Sequence, residues 1–235
     1  MKKLILTMLA ATVLAAFQAS AITVTVDHVA GYFVNDGEFN VTPITGSGYG
    51  ANDLYKNNSG AVGFGTFCIN RDVPVTAPGQ YDATVIASGI DPNNGNQISL
   101  GTAWLFQQFA QGVLANYNYN PLTGRQNSAY SLQIAIWILE SQYPISSIVP
   151  GSNVFLNQAF SMFGAGVGGV GGAYANNNQV YSVGVLGLTT LDANGRPTKT
   201  AAQPMLTLLP DGGSALFLLG MSLSGLALIS RKMRA

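Results

Sequence analysis

Apolar and polar residues alternate strictly over Ile22 to Val26, ITVTV, the period of a strand with one buried face. Tyr32-Phe33-Val34 and Phe39-Asn40-Val41 are short strand candidates on either side of the turn signal Asn35-Asp36-Gly37. Residues 43–60 are rich in Gly, Asn and Ser and read as a loop. Phe64 to Ile69 and Tyr81 to Ala87 are further strand candidates. After the turn cluster Asp91-Pro92-Asn93-Asn94-Gly95-Asn96 the period changes to that of a helix. Ser99 is placed to cap a helix over Leu100 to Leu114, with Ala103, Phe106, Ala110 and Val113 on one face. Ser128 is placed to cap a second over Ala129 to Gln142, which stops before Pro144. Ser152 is placed to cap a third over Val154 to Phe163. Gln179 to Leu191 returns to alternation. Residues 192–208 contain Gly195, Pro197 and Pro204 and read as a linker. The pattern predicts an α+β fold: a β-rich domain with an inserted group of about three helices.

Two longer apolar runs lie at the ends. Lys2 and Lys3 precede an apolar stretch from Leu4 to Phe17, followed by Ala19-Ser20-Ala21. That order is a secretory signal peptide over residues 1–21, with signal peptidase expected to cut between Ala21 and Ile22. At the other end, Ser214 to Ser230 is uncharged and mostly apolar, near the lower length limit for a membrane span. Arg231, Lys232 and Arg234 follow as a basic stop-transfer cluster, which would keep the body on the outer side.

Between the two signals, nine acids face five bases, so the body carries a formal charge of −4 although the whole chain is neutral. A mildly acidic body without a basic patch argues against nucleic-acid binding. Low charge with abundant Gly and Asn suits an exported β-rich protein, and 48% apolar content argues against disorder. The single cysteine excludes an intrachain disulfide and any multi-cysteine metal site. The only histidine, His28, ends the first strand with no recognisable catalytic partner. Asp91, Asn93, Asn94 and Asn96 carry oxygens that suit calcium, but no complete calcium loop is present and a turn is the simpler reading. Gly164 to Gly172 lacks the strand, lysine and helix of a nucleotide loop and reads as flexible chain or a packing turn. No cofactor and no metal is expected.

The tail Leu209-Pro210-Asp211-Gly212-Gly213, then a short apolar segment and a basic end, resembles the PEP-CTERM class of sorting signals. The nearest variant is the one named for VPDSG: Pro210, Asp211 and Gly213 match, while Leu209 replaces Val and Gly212 replaces Ser. The resemblance covers residues 209–235. It implies handling by an exosortase of a Gram-negative-type bacterium and delivery to the cell surface or extracellular matrix, with a transient membrane anchor.

Cys68 lies in Thr66-Phe67-Cys68-Ile69-Asn70, and Gln133 in Leu132-Gln133-Ile134-Ala135-Ile136-Trp137. Together these segments resemble the bacterial thioester domains of surface adhesins. In those domains an aromatic-Cys-hydrophobic strand meets a hydrophobic-Gln-x-Ala-hydrophobic-Trp helix. Asn70 stands where an acid is common. The resemblance covers most of residues 60–142 and implies an internal Cys68–Gln133 thioester, open to attack by an amine or hydroxyl on a partner. On a helix Gln133, Trp137 and Glu140 share one face, so Trp137 and Glu140, with Phe67, are expected to support the bond. From spacing alone, an inert buried thiol and an amide bonded to backbone remain open.

The resulting organisation is a signal peptide (1–21), a thioester-like domain (22–191), a linker (192–208) and a sorting signal (209–235). The expected work is adhesion rather than turnover. A non-reactive matrix protein associated with biofilm or exopolysaccharide is the first alternative. A secreted hydrolase dependent on Asp or Glu is the second.

Overall fold

The computed structural model describes residues 22–28, 37–44, 55–56, 62–167 and 169–209. Strand β1 (Ile22–Asp27) buries Ile22, Val24 and Val26 and leaves Thr23, Thr25 and Asp27 half-exposed, as its alternation demands. It pairs antiparallel with β2 (Phe39–Pro43) on one side and β5 (Gly79–Ile86) on the other. The two-residue β3 (Tyr55–Lys56), β4 (Val62–Thr66), β6 (Val183–Leu191) and β7 (Pro197–Leu208) complete the order β3-β4-β2-β1-β5-β6-β7. All neighbours in this sheet are antiparallel. The strand candidate at residues 32–34 lies outside the described residues.

The sheet curves until the segment that follows β4 reaches β7 at the other edge. Beyond β4 the chain crosses to β7: the Ile69 amide donates to Pro204 O at 3.1 Å and the Leu206 amide to Phe67 O at 3.0 Å. Cys68 thereby stands opposite Met205. Expected as one strand, residues 64–69 therefore serve two partners, β2 first and β7 afterwards. Closure removes a bare sheet edge at this point. Inside the curve, Val24, Val26, Val41, Cys68, Leu186 and Met205 form one buried cluster.

Residues 192–208, expected as a linker, instead form a turn and β7. Prolines made that stretch look irregular. Ala202 and Met205 both face the interior although three positions apart, because the register shifts opposite Leu186–Leu188. Pro204 sits within this irregularity, where a residue lacking an N–H is tolerated. The domain thus extends to Leu208, and Leu209 still donates its amide to Ser182 O at 2.9 Å.

Three helices are inserted between β5 and β6 and cover the outer face of the curved sheet: α1 (Leu100–Ala110), α2 (Arg125–Leu139) and α3 (Val154–Phe163). Ser99 caps α1 as expected, accepting the Thr102 amide at 3.1 Å. The α2 expectation changes. The helix starts at Arg125 after Gly124 (φ 111°), and Ser128 lies inside it, its hydroxyl accepting the Asn118 amide at 3.0 Å. The α3 cap is Asn153 rather than Ser152; its Oδ1 accepts the amides of Phe155 and Leu156. Val183, Val185 and Leu206 meet Leu132, Ile136, Phe106 and Phe109 in the second buried cluster. The glycine-rich stretch closes a tight packing turn: Val167 and Val170 bridge each other, and Ala173 donates to Gly164 O at 2.9 Å.

Candidate functional site

Phe67, Cys68 and Ile69 sit at the seam where the sheet closes, and α2 passes over it. Alternation sends Phe67 and Ile69 toward the helices and Cys68 into the cluster inside the sheet. Phe67 meets Phe109 edge-on at 4.9 Å. The Phe67 C=O and the Ile69 N–H serve β7 on either side of Cys68, so the N–H and C=O of Cys68 point the other way, toward α2. Gln133 satisfies both: its Oε1 accepts the Cys68 amide at 3.0 Å and its Nε2 donates to Cys68 O at 2.7 Å. Cys68 and Gln133 are each 0% exposed. One primary amide thus takes the place of a neighbouring strand, across 65 residues of chain.

Gln133 therefore has the partners that a buried amide needs, and losing them would cost about 1–3 kcal/mol per orphaned group. The acyl carbon of Gln133 is consequently held beside the backbone of Cys68, with its oxygen already on an N–H donor. The side chain of Cys68 packs on the inner side of the seam, out of the plane of these hydrogen bonds.

Trp137, one helical turn beyond Gln133, is 4% exposed, and its Nε1 is buried with no hydrogen-bond partner. The exposed side chain of Arg71 spreads over the Trp137 and Tyr143 rings, its guanidinium carbon 6.0 and 5.0 Å from their centres. Glu140 is placed elsewhere. Its Oε1 accepts the Ser99 amide at 2.9 Å, and Thr102 adds a side-chain bond, so it caps the start of α1. Burial pushes its carboxyl above the usual range, hydrogen bonds from Thr102 and Ser99 oppose this, and the Asp91 charge adds to the rise. Asp91 is itself raised by burial, against hydrogen bonds from Asn93 and Asn70.

An ion pair that the sequence did not single out ties the insertion to the sheet. Arg125, first residue of α2, grips Glu38, just before β2, through Nη2–Oε1 at 2.8 Å and Nε–Oε2 at 2.9 Å. Tyr117 donates its hydroxyl to the same carboxylate at 2.7 Å, and Arg125 Nη1 donates to Tyr119 O at 2.6 Å. Glu38 and Arg125 are both buried. The only sequence signal was a lone acid and a lone arginine in a chain poor in charge.

His28 follows β1, its ring 5.2 Å from that of Phe39. In the Asp91–Asn96 turn, Asp91 Oδ1 accepts the Asn93 amide and Asn94 Oδ1 the Asn96 amide, each at 2.8 Å. These are turn-making bonds, as expected of that cluster. Among the described residues no group of three His, Cys, Asp or Glu side chains is placed to hold a metal ion. Ala21, Pro210 to Gly213 and the basic cluster Arg231, Lys232 and Arg234 lie outside the described residues. No described helix is long and apolar enough to cross a membrane, and the expected span at 214–230 lies outside them too.

The C-terminal tail supports a cell-surface protein sorted by an exosortase-type system. Its particular variety is VPDSG-CTERM: residues 210–233 match that motif. The match begins one residue after the last one the domain holds, Leu209. No curated protein and no solved structure matches the chain.

Proposed function

We propose that this exported protein attaches covalently to a surface or matrix component through a Cys68–Gln133 thioester. The carrying observation is the pair of reciprocal hydrogen bonds between the Gln133 amide and the Cys68 backbone. The Cys68 N–H rests on the oxygen that gains negative charge when sulfur attacks, which is an oxyanion donor already in place. Attack requires Sγ to move from the inner side of the seam onto the face of the amide. The C–S bond forms, the C–N bond breaks, and the thiol proton leaves with the nitrogen as ammonia. Fixing both groups supplies the effective concentration that an unactivated amide needs, and full burial of both residues protects the product from water. An amine or hydroxyl on the target then takes the acyl group and restores the Cys68 thiol. Each molecule reacts once, so the work is attachment rather than turnover. Signal peptidase, the exosortase and a transient membrane anchor deliver the protein in this reading.

The satisfied state of the Gln133 amide favours a second reading, a non-reactive matrix protein in which the same two bonds are purely structural. Intact mass of the purified protein separates the two. The thioester reading expects a mass lighter by one ammonia and a methylamine adduct on Gln133 that Cys68→Ala abolishes. The unmodified sequence mass with a titratable thiol overturns it.

A further inference from the structure

We infer that Arg71 and Trp137 form a carboxylate-binding site beside the Cys68–Gln133 seam, and that it presents an acidic polysaccharide to that seam. The link to the seam rests on the thioester reading; the binding site itself does not. Three observations carry the site. Arg71 lies three residues after Cys68 and is exposed, yet its guanidinium is held over the Trp137 and Tyr143 rings. Among the described residues the ion pair is Arg125–Glu38, and Asp72, although adjacent in sequence, makes none with Arg71. The planar fork that suits a carboxylate is thus pre-oriented and uncommitted. Independently, the indole beneath it has a buried Nε1 with no acceptor, a state that costs free energy unless an acceptor arrives. A solvent-facing guanidinium and a buried indole N–H without an acceptor therefore belong to one aromatic cluster, and Trp137 lies one helical turn from Gln133.

The chemistry selects among carboxylate carriers. A cation beside the seam repels a lysine ammonium, which disfavours an amine nucleophile on a basic protein. A uronic acid residue carries its carboxylate and several hydroxyls on one ring, so the group that binds and the group that reacts arrive together. In the joining step a sugar hydroxyl oxygen bonds to the Gln133 acyl carbon, the C–S bond breaks, and the hydroxyl proton passes to Cys68 sulfur. The link is an ester. The body's formal charge of −4 opposes polyanions at long range, but salt screens this beyond roughly 8 Å, leaving the local guanidinium to decide.

Binding is tested first in the full chain carrying Cys68→Ala, where no thioester can form. Titration with an oligogalacturonate is compared with a neutral glucan oligomer and a poly-aspartate peptide of equal length. The uronate is expected to bind best. Arg71→Ala should weaken it by about tenfold, and Arg71→Lys, which keeps the charge but loses the fork, should fall between. Trp137→Phe, checked for an unchanged fold by its urea midpoint, should also weaken it. Equal binding of the neutral glucan, or uronate binding unaffected by Arg71→Ala, overturns the site. Equal binding of poly-aspartate overturns the assignment to polysaccharide. In the wild-type chain an ester adduct is expected with the uronate and should fall with Arg71→Ala, while methylamine labelling does not fall. A normal intact mass with uronate binding retained would sink the thioester and leave the carboxylate site standing.

Discussion

Replacing Arg125 with Leu should be among the most destabilising single changes in the domain. Arg125 supplies two of the three hydrogen bonds on the Glu38 carboxylate, at 2.8 and 2.9 Å, and leaves only the Tyr117 hydroxyl behind when removed. Glu38 is 1% exposed, so water cannot take over the lost bonds. Breaking one side of a buried pair costs about 3–5 kcal/mol, because the partner remains as an uncompensated charge. Total stabilities of single domains run to about 5–15 kcal/mol. A domain of this size loses stability at about 2 kcal/mol per molar urea, so the midpoint should fall by about 2 M. The double variant Glu38→Leu with Arg125→Leu removes both charges and should be more stable than either single variant. Urea unfolding followed by tryptophan fluorescence reads all four proteins. A midpoint shift below about 0.5 M for Arg125→Leu, or a double variant showing the sum of the single losses, would refute the claim that this is a dry, coupled pair.

Methylamine should lower the urea midpoint of the wild-type chain but not of Cys68→Ala, since opening a thioester removes a crosslink between α2 and the seam. Closing a 65-residue separation is worth about 2–4 kcal/mol by analogy with a disulfide. Gln133→Leu strands the N–H and C=O of Cys68 and should cost about 1–3 kcal/mol per group, checked by the same unfolding curves. Glu140→Gln should match wild type in acid and become the more stable of the two as pH rises. The folded-state pKa of Glu140 is raised, so the folded protein holds that proton more tightly. Its contribution is lost as pH climbs from the unfolded value through the folded one. Identical pH profiles for the two proteins would contradict this. Gly101→Ala places a Cβ 2.9 Å from Ala173 O and should lower the melting temperature, costing about 1–3 kcal/mol through overpacking.

Local pattern was enough for much of the chain. The ITVTV alternation defined β1 and its inward face. The turn cluster at Asp91 marked the change from strands to helices, and the Ser99 cap and the Val154–Phe163 helix were readable from spacing. Sequence alone also exposed the sorting tail, because a Pro-Asp-Gly-Gly break, an apolar run and a basic end are contiguous and need no fold to recognise. It paired Cys68 with Gln133 only by resemblance.

Tertiary structure decided what depends on residues far apart. Pro197 and Pro204 disguised β7 as a linker, since proline weakens any local strand signal and only the bulge facing β6 accommodates Pro204. Ser128 looked like a cap because capping is judged from neighbours, whereas the left-handed Gly124 and the buried Glu38 fix where α2 begins. Glu140 shares a helical face with Gln133, yet the packing of α1 against α2 claims it for Ser99. The same holds for the seam. Periodicity placed Cys68 on a strand and Gln133 on a helix, but only closure of the sheet on β7 turns the Cys68 backbone outward. That leaves a buried N–H and C=O which a single amide, 65 residues away, is shaped to meet.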